Sequence, residues 1–277
     1  MEKIIIFNQK GGVGKSTSVV NIAGCLANNK KKKVLVIDLD GQCTTSSYLR
    51  AIEGDTDISL LDYIQGERQA TDIIVPVRFS KWSFKEGQRV LYDTNISLIP
   101  SHKIFSKREF QDQFNNLDLF ETLFSQIDET KYDYCIMDAP GYISKFVESA
   151  LRVADYIIVP AFADIDSLEG FSDLVDTKNR IRMETHNIGL DILGIFFTRH
   201  SSKISLKRQI REQCIASMGA DVIFNTCIRD ATGVSEARAV GVPINYYKPN
   251  SPVAQDYMTL TNEIIKRIKE RKHLNGH

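Results

Sequence analysis

The chain lacks a cysteine framework. Its five cysteines, Cys25, Cys43, Cys135, Cys214 and Cys227, include no Cys-x-x-Cys pair. Neither a zinc ribbon nor a thioredoxin-type dithiol is supported, and the odd count with wide spacing points to reduced thiols. Cys25 and Cys135 fall in segments that read as buried, where a thiol serves as a small apolar group. No apolar run approaches membrane-spanning length, and the first residues carry no basic-then-apolar signal. A cytoplasmic protein is expected. Charge of one sign is missing too: 35 basic residues balance 35 acidic ones. That balance excludes a protein coated in positive charge, though not a local basic patch. No internal repeat, low-complexity tract or Gly/Ser linker breaks the chain, and the five histidines show no ligand spacing.

What is present is an ordinary globular composition, 43% hydrophobic over 277 residues, enough for one large α/β domain with a sizeable core. Lys3 to Phe7 (KIIIF) suits a strand buried on both faces. Similar runs recur at Lys33–Asp38, Ile96–Pro100, Tyr134–Asp138, Tyr156–Pro160 and Ile192–Phe197, mostly separated by helical patterns. Strands alternating with helices imply a mostly parallel twisted sheet with helices on both faces. A single domain over residues 1–277 is expected. The stretch 76–95 is less regular and reads as a surface hairpin or loop insertion. Its Trp82, the one tryptophan, reads as part of a small core under the loop. Residues 252–272 read as one helix, with Tyr257, Leu260, Thr261, Ile264, Ile265 and Ile268 mostly on one face.

Between the first strand and the first helix lies Lys10-Gly11-Gly12-Val13-Gly14-Lys15-Ser16-Thr17. Gly11, Gly12 and Gly14 let the backbone turn tightly and aim N–H groups at an anion. Lys15 contacts terminal phosphates, Ser16 offers a hydroxyl to Mg²⁺, and the following helix points its positive end at the same place. The pattern is that of a P-loop NTPase with ATP and Mg²⁺ as ligands. Asp138 closes the strand YCIMD, where a Walker-B carboxylate sits. Asp38 and Asp40, in IDLDGQ, close the second strand at the edge where ligands bind, and Asp38 and Asp138 are expected to hold the metal with Ser16. Asp138 is followed by Ala139 and Pro140 and not by a glutamate. Orientation of the attacking water therefore falls to Asp40, and one weakly basic carboxylate predicts slow hydrolysis.

The loop from Lys10 to Thr17 resembles the deviant Walker A of the ParA/MinD superfamily. Asp38-Leu39-Asp40-Gly41-Gln42 is similar to its DxDPQ element, and Tyr132 to Pro140 to its YDxxxxDxPP strand. Ala154–Pro160, Ser167-Leu168-Glu169-Gly170, Ser235-Glu236-Ala237, Gly241-Val242-Pro243, Tyr246 and Ser251 keep the ParA/Soj order, so the resemblance spans nearly the whole chain. It implies that Lys10 reaches across a dimer to the partner's ATP, as both dimer sensor and catalytic cation. It implies an ATP-dependent homodimer that binds double-stranded DNA nonspecifically, sits on the nucleoid when ATP-bound, and is stimulated by a ParB-like centromere-binding protein. Three departures stand out. Gly41 and Gly141 replace prolines, which loosens both loops on conformational grounds. Ile228-Arg229-Asp230-Ala231 stands where many Soj-like chains have Ile-Pro-Arg-Asn, so neither adenine contact nor DNA contact carries over to this segment.

DNA binding needs basic groups. Lys203, Lys207 and Arg211 recur every four residues on a predicted helix, with Arg208 beside them, and form a candidate stripe for phosphates. A second cluster is Lys266, Arg267, Lys269, Arg271 and Lys272, and a solvated helix face is the alternative for each. The run Lys30–Lys33 reads as a solvated turn. No N-terminal helix-turn-helix is expected, because the phosphate loop follows the first strand. A MinD-like membrane or protein-positioning role stays open as the alternative. For the membrane form, the terminal KERKHLNGH offers only Leu274 to lipid. The cysteines do not fit a metal-cluster carrier. A phosphate-transferring kinase or ligase lacks an obvious substrate element.

Overall fold

Strands and helices alternate along the chain because apolar runs of five to eight residues alternate with amphipathic ones. The computed structural model describes residues 1–49, 58–83, 88–164, 171–185, 187–201 and 205–274. In order, the first half holds β1 (Glu2–Ile6), α1 (Lys15–Gly24), β2 (Val34–Asp38), α2 (Thr44–Leu49), α3 (Leu60–Ile64), β3 (Val75–Ser83) and β4 (Gln88–Ile99). Then come α4 (Arg108–Gln113), α5 (Leu119–Ser125), β5 (Tyr134–Asp138), α6 (Lys145–Leu151), β6 (Tyr156–Phe162) and α7 (Phe171–Glu184). The chain ends with β7 (Asp191–Thr198), α8 (Ser205–Met218), α9 (Thr232–Ala239), α10 (Ile244–Tyr247) and α11 (Pro252–Leu274). The strands form one sheet in the order β3-β4-β2-β5-β1-β6-β7, parallel except for the β3–β4 pair. The fold is that of a P-loop NTPase.

Successive strand residues face opposite sides of a sheet, and this splits the core into two layers. Ile5, Leu35, Ile37, Met137 and Ile157 pack with Phe120, Phe146 and Leu174 from α5, α6 and α7. Ile4, Ile6, Val34, Val36, Ile136 and Ile158 pack with Val19, Ala237, Ile244 and Tyr257 from α1, α9, α10 and α11. Both faces are covered, which is why these strands read as continuous apolar runs and not as alternating ones. Cys25 and Cys135 are buried. α11 buries Tyr257, Leu260, Thr261, Ile264 and Ile268, while Leu274 is 80% exposed. Among the described residues, no helix is long and apolar enough to cross a membrane.

Residues 76–95 run through β3 and β4, which pair antiparallel at the sheet edge with a register shift between Pro76 and Arg78. They extend the central sheet, since β4 continues without a break into the run Ile96–Ile99 beside β2. The base of the hairpin is held by rings: Phe79 lies 4.8 Å from Tyr246 at 70°, and Tyr92 stacks on Tyr246 at 6.3 Å. The Trp82 side chain and residues 84–87 lie outside the described residues.

α1 is buried along most of its length, from Ser18 to Gly24, and Asn21 ties it to its surroundings. Asn21 Oδ1 accepts from the Ile244 N–H at 2.7 Å, and its Nδ2 donates to Thr17 O at 2.7 Å. At Gly24 the helix touches the turn before α10, and a Cβ there would sit 2.6 Å from Pro243 Cβ. Gly24→Ala is therefore expected to lower stability by about 1–3 kcal/mol through overpacking, read as a lower urea midpoint. An unchanged midpoint would show that α1 and Pro243 are not held in this contact.

Candidate functional site

The site forms where β1, β5 and β2 end side by side. Ile6 stands level with Asp138, and Asp138 with Asp38, so the sheet register alone brings the phosphate loop and two acids together. Past β1, Asn8 is buried and holds the loop from both ends of its amide. Its Nδ2 donates to Pro160 O at 2.7 Å, and its Oδ1 accepts from Lys10 N at 2.9 Å. Gly12 and Gly14 take φ +75° and +89°, where an L side chain is strained. Thr198 Oγ1 donates to Val13 O at 2.9 Å and pins the far side of the loop to the end of β7. Gly11 and Gly12 face open space.

Lys15 arches back over the loop and donates to Lys10 O at 3.2 Å. Burial pushes its ammonium below the ordinary lysine value, against the pull of Asp138 and Asp40. That makes it a cation short of partners, suited to phosphate. Lys10 behaves differently. Its Nζ meets Asp164 Oδ1 and Oδ2 at 3.0 and 3.1 Å and lies 6.0 Å from the Phe162 ring centre.

Asp38 and Asp138 are both fully buried. Burial raises each carboxyl above its ordinary range; Asp138 adds to the shift at Asp38, and Asp40 adds to the one at Asp138. Asp38 is the better compensated. Its Oδ2 accepts from Ser46 Oγ at 2.6 Å and Ser46 N at 2.7 Å, and its Oδ1 from Asp40 N at 3.1 Å. It is thereby the hub of its own loop. Asp138 accepts from Thr45 Oγ1 at 2.7 Å, but its Oδ1 is buried and makes no hydrogen bond. The donors gathered there are oxygens, from Asp138, Ser16 and Thr45, a hard set that fits Mg²⁺. Among the described residues no three His, Cys, Asp or Glu side chains form a self-contained metal cage. A cation there needs oxygens from a bound phosphate or water.

Asp40 stands at the mouth, its Oδ1 accepting from Gln42 N at 2.9 Å. The loops carrying the acids are tighter than their glycines suggest. A Cβ at Gly41 would lie 2.2 Å from Ser106 N, and one at Gly141 2.9 Å from Gln9 O. Each glycine permits a close backbone approach, which corrects the expectation of loosened loops. The cavity these parts enclose measures about 520 Å³, and its floor is residues 11–17 with Asp40 at one side. The opposite end is walled by Ile228, Arg229, Asp230, Ala231, Val234 and Arg238. Arg229 is locked on Asp256 through Nε at 2.6 Å and Nη2 at 2.8 Å, so it acts as a fixed wall.

Several of these contacts carry no clear sequence motif. Thr45 and Ser46 sit in a run of four hydroxyl residues after the acidic loop, the one signal that marks them. Asn8, Thr198 and Asp164 carry no such signal.

The basic residues are brought together less than their spacing suggests. Lys203 lies outside the described residues, as do Ser167–Gly170. Lys207 donates to Arg199 O, and Arg211 donates to Phe224 O at 3.3 Å and Asn225 O at 3.4 Å. Arg208 is exposed, 3.9 Å from Glu212. In the second cluster, Arg267 lies 4.1 Å over the Phe224 ring and donates to Leu193 O, Asp221 O and Ile223 O. Arg271 pairs with Asp191, Lys272 with Glu2, and Lys266 with Glu270. In the Lys30–Lys33 run, Lys32 pairs with Asp133 at 2.8 Å.

His200 stands between α8 and the cavity wall. Its backbone N–H donates to Ile228 O at 2.9 Å, and its ring Nδ1 is buried without a partner. Burial, then Arg211 and Lys207, hold its imidazole below 6.5. As pH falls, the unfolded chain therefore takes this proton first. The stability tied to neutral His200 is intact above 6.5 and is lost progressively below it. His200→Asn should shrink the drop in urea midpoint between about pH 7.5 and pH 5.5. A variant with the wild-type drop would remove His200 from the account.

A family model described as an AAA domain matches residues 1–192. The sporulation initiation inhibitor protein Soj of Bacillus subtilis is 30% identical over 267 residues, 95% of this chain and 98% of that one. The chromosome-partitioning ATPase Soj of Treponema pallidum is 29% identical over 98% of this chain and 100% of that one. Cobyrinic acid a,c-diamide synthase from Mycobacterium smegmatis, solved with a bound ATP analog and magnesium, matches with a TM-score of 0.75 at 20% identity. That likeness covers 97% of this chain and 96% of the other, and it speaks for the fold. Matched by the AAA domain over residues 1–192 and by Soj along nearly its whole length, this chain belongs to the ParA/Soj-type partitioning ATPases.

Proposed function

We propose that the chain is an ATP-driven switch that dimerises on Mg·ATP, binds double-stranded DNA without sequence preference, and hydrolyses ATP slowly to drive plasmid or chromosome partitioning. The observation that carries this reading is the division of labour between two lysines of one loop. Lys15 covers its own phosphate seat, while Lys10 is turned to Asp164. A cation so placed has no task in its own cavity. Across a two-fold axis it reaches a partner's terminal phosphate and makes the dimer depend on ATP.

In this reading, residues 11–17 bind the phosphates through backbone N–H groups and the start of α1. When bound, Mg²⁺ would supply charge neutralisation at the terminal phosphates, and Ser16, Asp38 and Asp138 would hold it. Asp40 orients the attacking water. The water oxygen bonds to the terminal phosphorus as the bond to ADP breaks, and the proton leaves with phosphate. With no second carboxylate after Asp138, turnover is slow and open to stimulation by a ParB-like, DNA-bound partner. Lys203, Lys207, Arg208 and Arg211 are the candidate DNA contacts, and Arg208 is the best exposed of those described. The protein is then cytoplasmic, and nucleoid-associated when ATP-bound. Partitioning is supported by the Soj relatives. A second reading, the same dimer positioning a protein cargo, is favoured by the cations of α8 and α11, most of which bind internal carbonyls and carboxylates.

Sedimentation with DNA separates the two. The wild-type chain should bind DNA with ATP but not with ADP or without nucleotide, and binding should fall steeply with salt. Asp40→Ala should keep ATP-dependent binding while hydrolysis drops about a hundredfold. DNA binding in no state moves the leading role to protein cargo, and equal binding in every state removes the switch.

Nucleotide titration tests the lysines apart. Lys15→Ala should weaken ATP binding by about two orders of magnitude. Lys10→Ala should bind ATP nearly as wild type but stay monomeric by light scattering. A Lys10→Ala chain that still dimerises on ATP would sink the proposed reach across the dimer.

A further inference from the structure

The loop that carries Asp40 takes one side-chain hydrogen bond on the Asp40 carbonyl from outside the loop. Ser101 lies just past β4 and is buried, with 7% of its surface exposed. Its Oγ donates to Asp40 O at 2.8 Å. Its backbone N–H donates to Ser46 Oγ at 2.9 Å, and that hydroxyl donates to Asp38 Oδ2 at 2.6 Å. One residue thus touches both ends of the acidic loop. Every other hydrogen bond of Asp40 is local: its N–H goes to Asp38, its carbonyl to Cys43 N, its carboxylate to Gln42 N.

The segment behind Ser101 is rigid. Residues Lys103–Ser106 form a 3-10 turn whose Phe105 is fully buried, 5.0 Å from the Phe110 ring and 4.9 Å from Phe146. Tyr142, from the Asp138 side of the site, donates its hydroxyl to Phe105 O at 3.2 Å. Against this segment Gly41 lies backbone to backbone, with no room for a Cβ beside Ser106 N and Phe105 C. The contact exists because position 41 is glycine.

We propose that Ser101 is a positioning residue for ATP hydrolysis: its hydroxyl, seated on the rigid 101–106 segment, fixes the Asp40 backbone so that the Asp40 carboxylate meets the attacking water. The role rests on the assignment of Asp40 above. Ser101 acts through the Asp40 backbone. Displacement of a catalytic group by about 1 Å costs up to about a hundredfold in rate, and one lost hydrogen bond is the milder case.

Ser101→Ala keeps the backbone bond to Ser46 and deletes the hydroxyl. Single-turnover hydrolysis should slow about tenfold, with the Kd for ATP unchanged within about twofold. Ser101→Thr should restore the rate to within about threefold. Gly41→Ala, which displaces the same segment, should slow hydrolysis by a similar factor at unchanged ATP affinity. In an Asp40→Asn background, Ser101→Ala should have no further effect. An unchanged rate in Ser101→Ala overturns the proposal, and so does an equal loss of rate in the Asp40→Asn background. Wild-type hydrolysis by Asp40→Asn alone overturns the Asp40 assignment, and the role of Ser101 falls with it.

Discussion

The structure depends on two carboxylates buried side by side. Asp38 and Asp138 stand level at the ends of adjacent parallel strands, with the phosphate loop leaving the next strand over. Burying two acids in contact is costly, and only hydrogen bonds or a cation offset it. The chain answers asymmetrically. Asp38 is satisfied from within by Ser46 and the Asp40 N–H, whereas Asp138 keeps one oxygen without a partner. The first acid therefore shapes the loop, and the second is left needing an external charge. Lys15 and Ser16 line the cavity, and Asp138, whose charge acts on Lys15, lies buried behind them.

Much of this was legible from sequence. The strands were plain because both faces of the sheet are covered, which turns each strand into an unbroken apolar run. The phosphate loop was plain because its glycines, lysine and serine are fixed by backbone chemistry. Residues 76–95 were harder. A solvent-side hairpin has short alternation and mixed polarity, and nothing local says that β4 runs on into the central sheet. Asn8, Thr198, Ser101 and Asp164 were invisible for a different reason. Each acts on a segment 60 or more positions away in sequence or on the main chain, and neither leaves a pattern.

The glycines that replace prolines show how a local rule can mislead. In isolation glycine raises conformational freedom, and Gly41 and Gly141 read as loose. In the folded chain both are the thinnest points of a tight seam, with backbone from elsewhere pressed against them. The cations show the converse. A four-residue spacing marks Lys207 and Arg211 as a surface stripe, yet both are tied to carbonyls that dock α8.

The pair between Lys10 and Asp164 has a quantitative consequence. Its side chains are 30% and 43% exposed, so solvent weakens it. Such pairs are worth at most about 1 kcal/mol, a population ratio of about five. Lys10 is then loose in a substantial minority of chains at any instant. The pair works as a weak latch on Lys10: the released side chain is the minority form, yet it is always present. Salt screens the pair, so ionic strength alone raises the share of chains in which Lys10 is released.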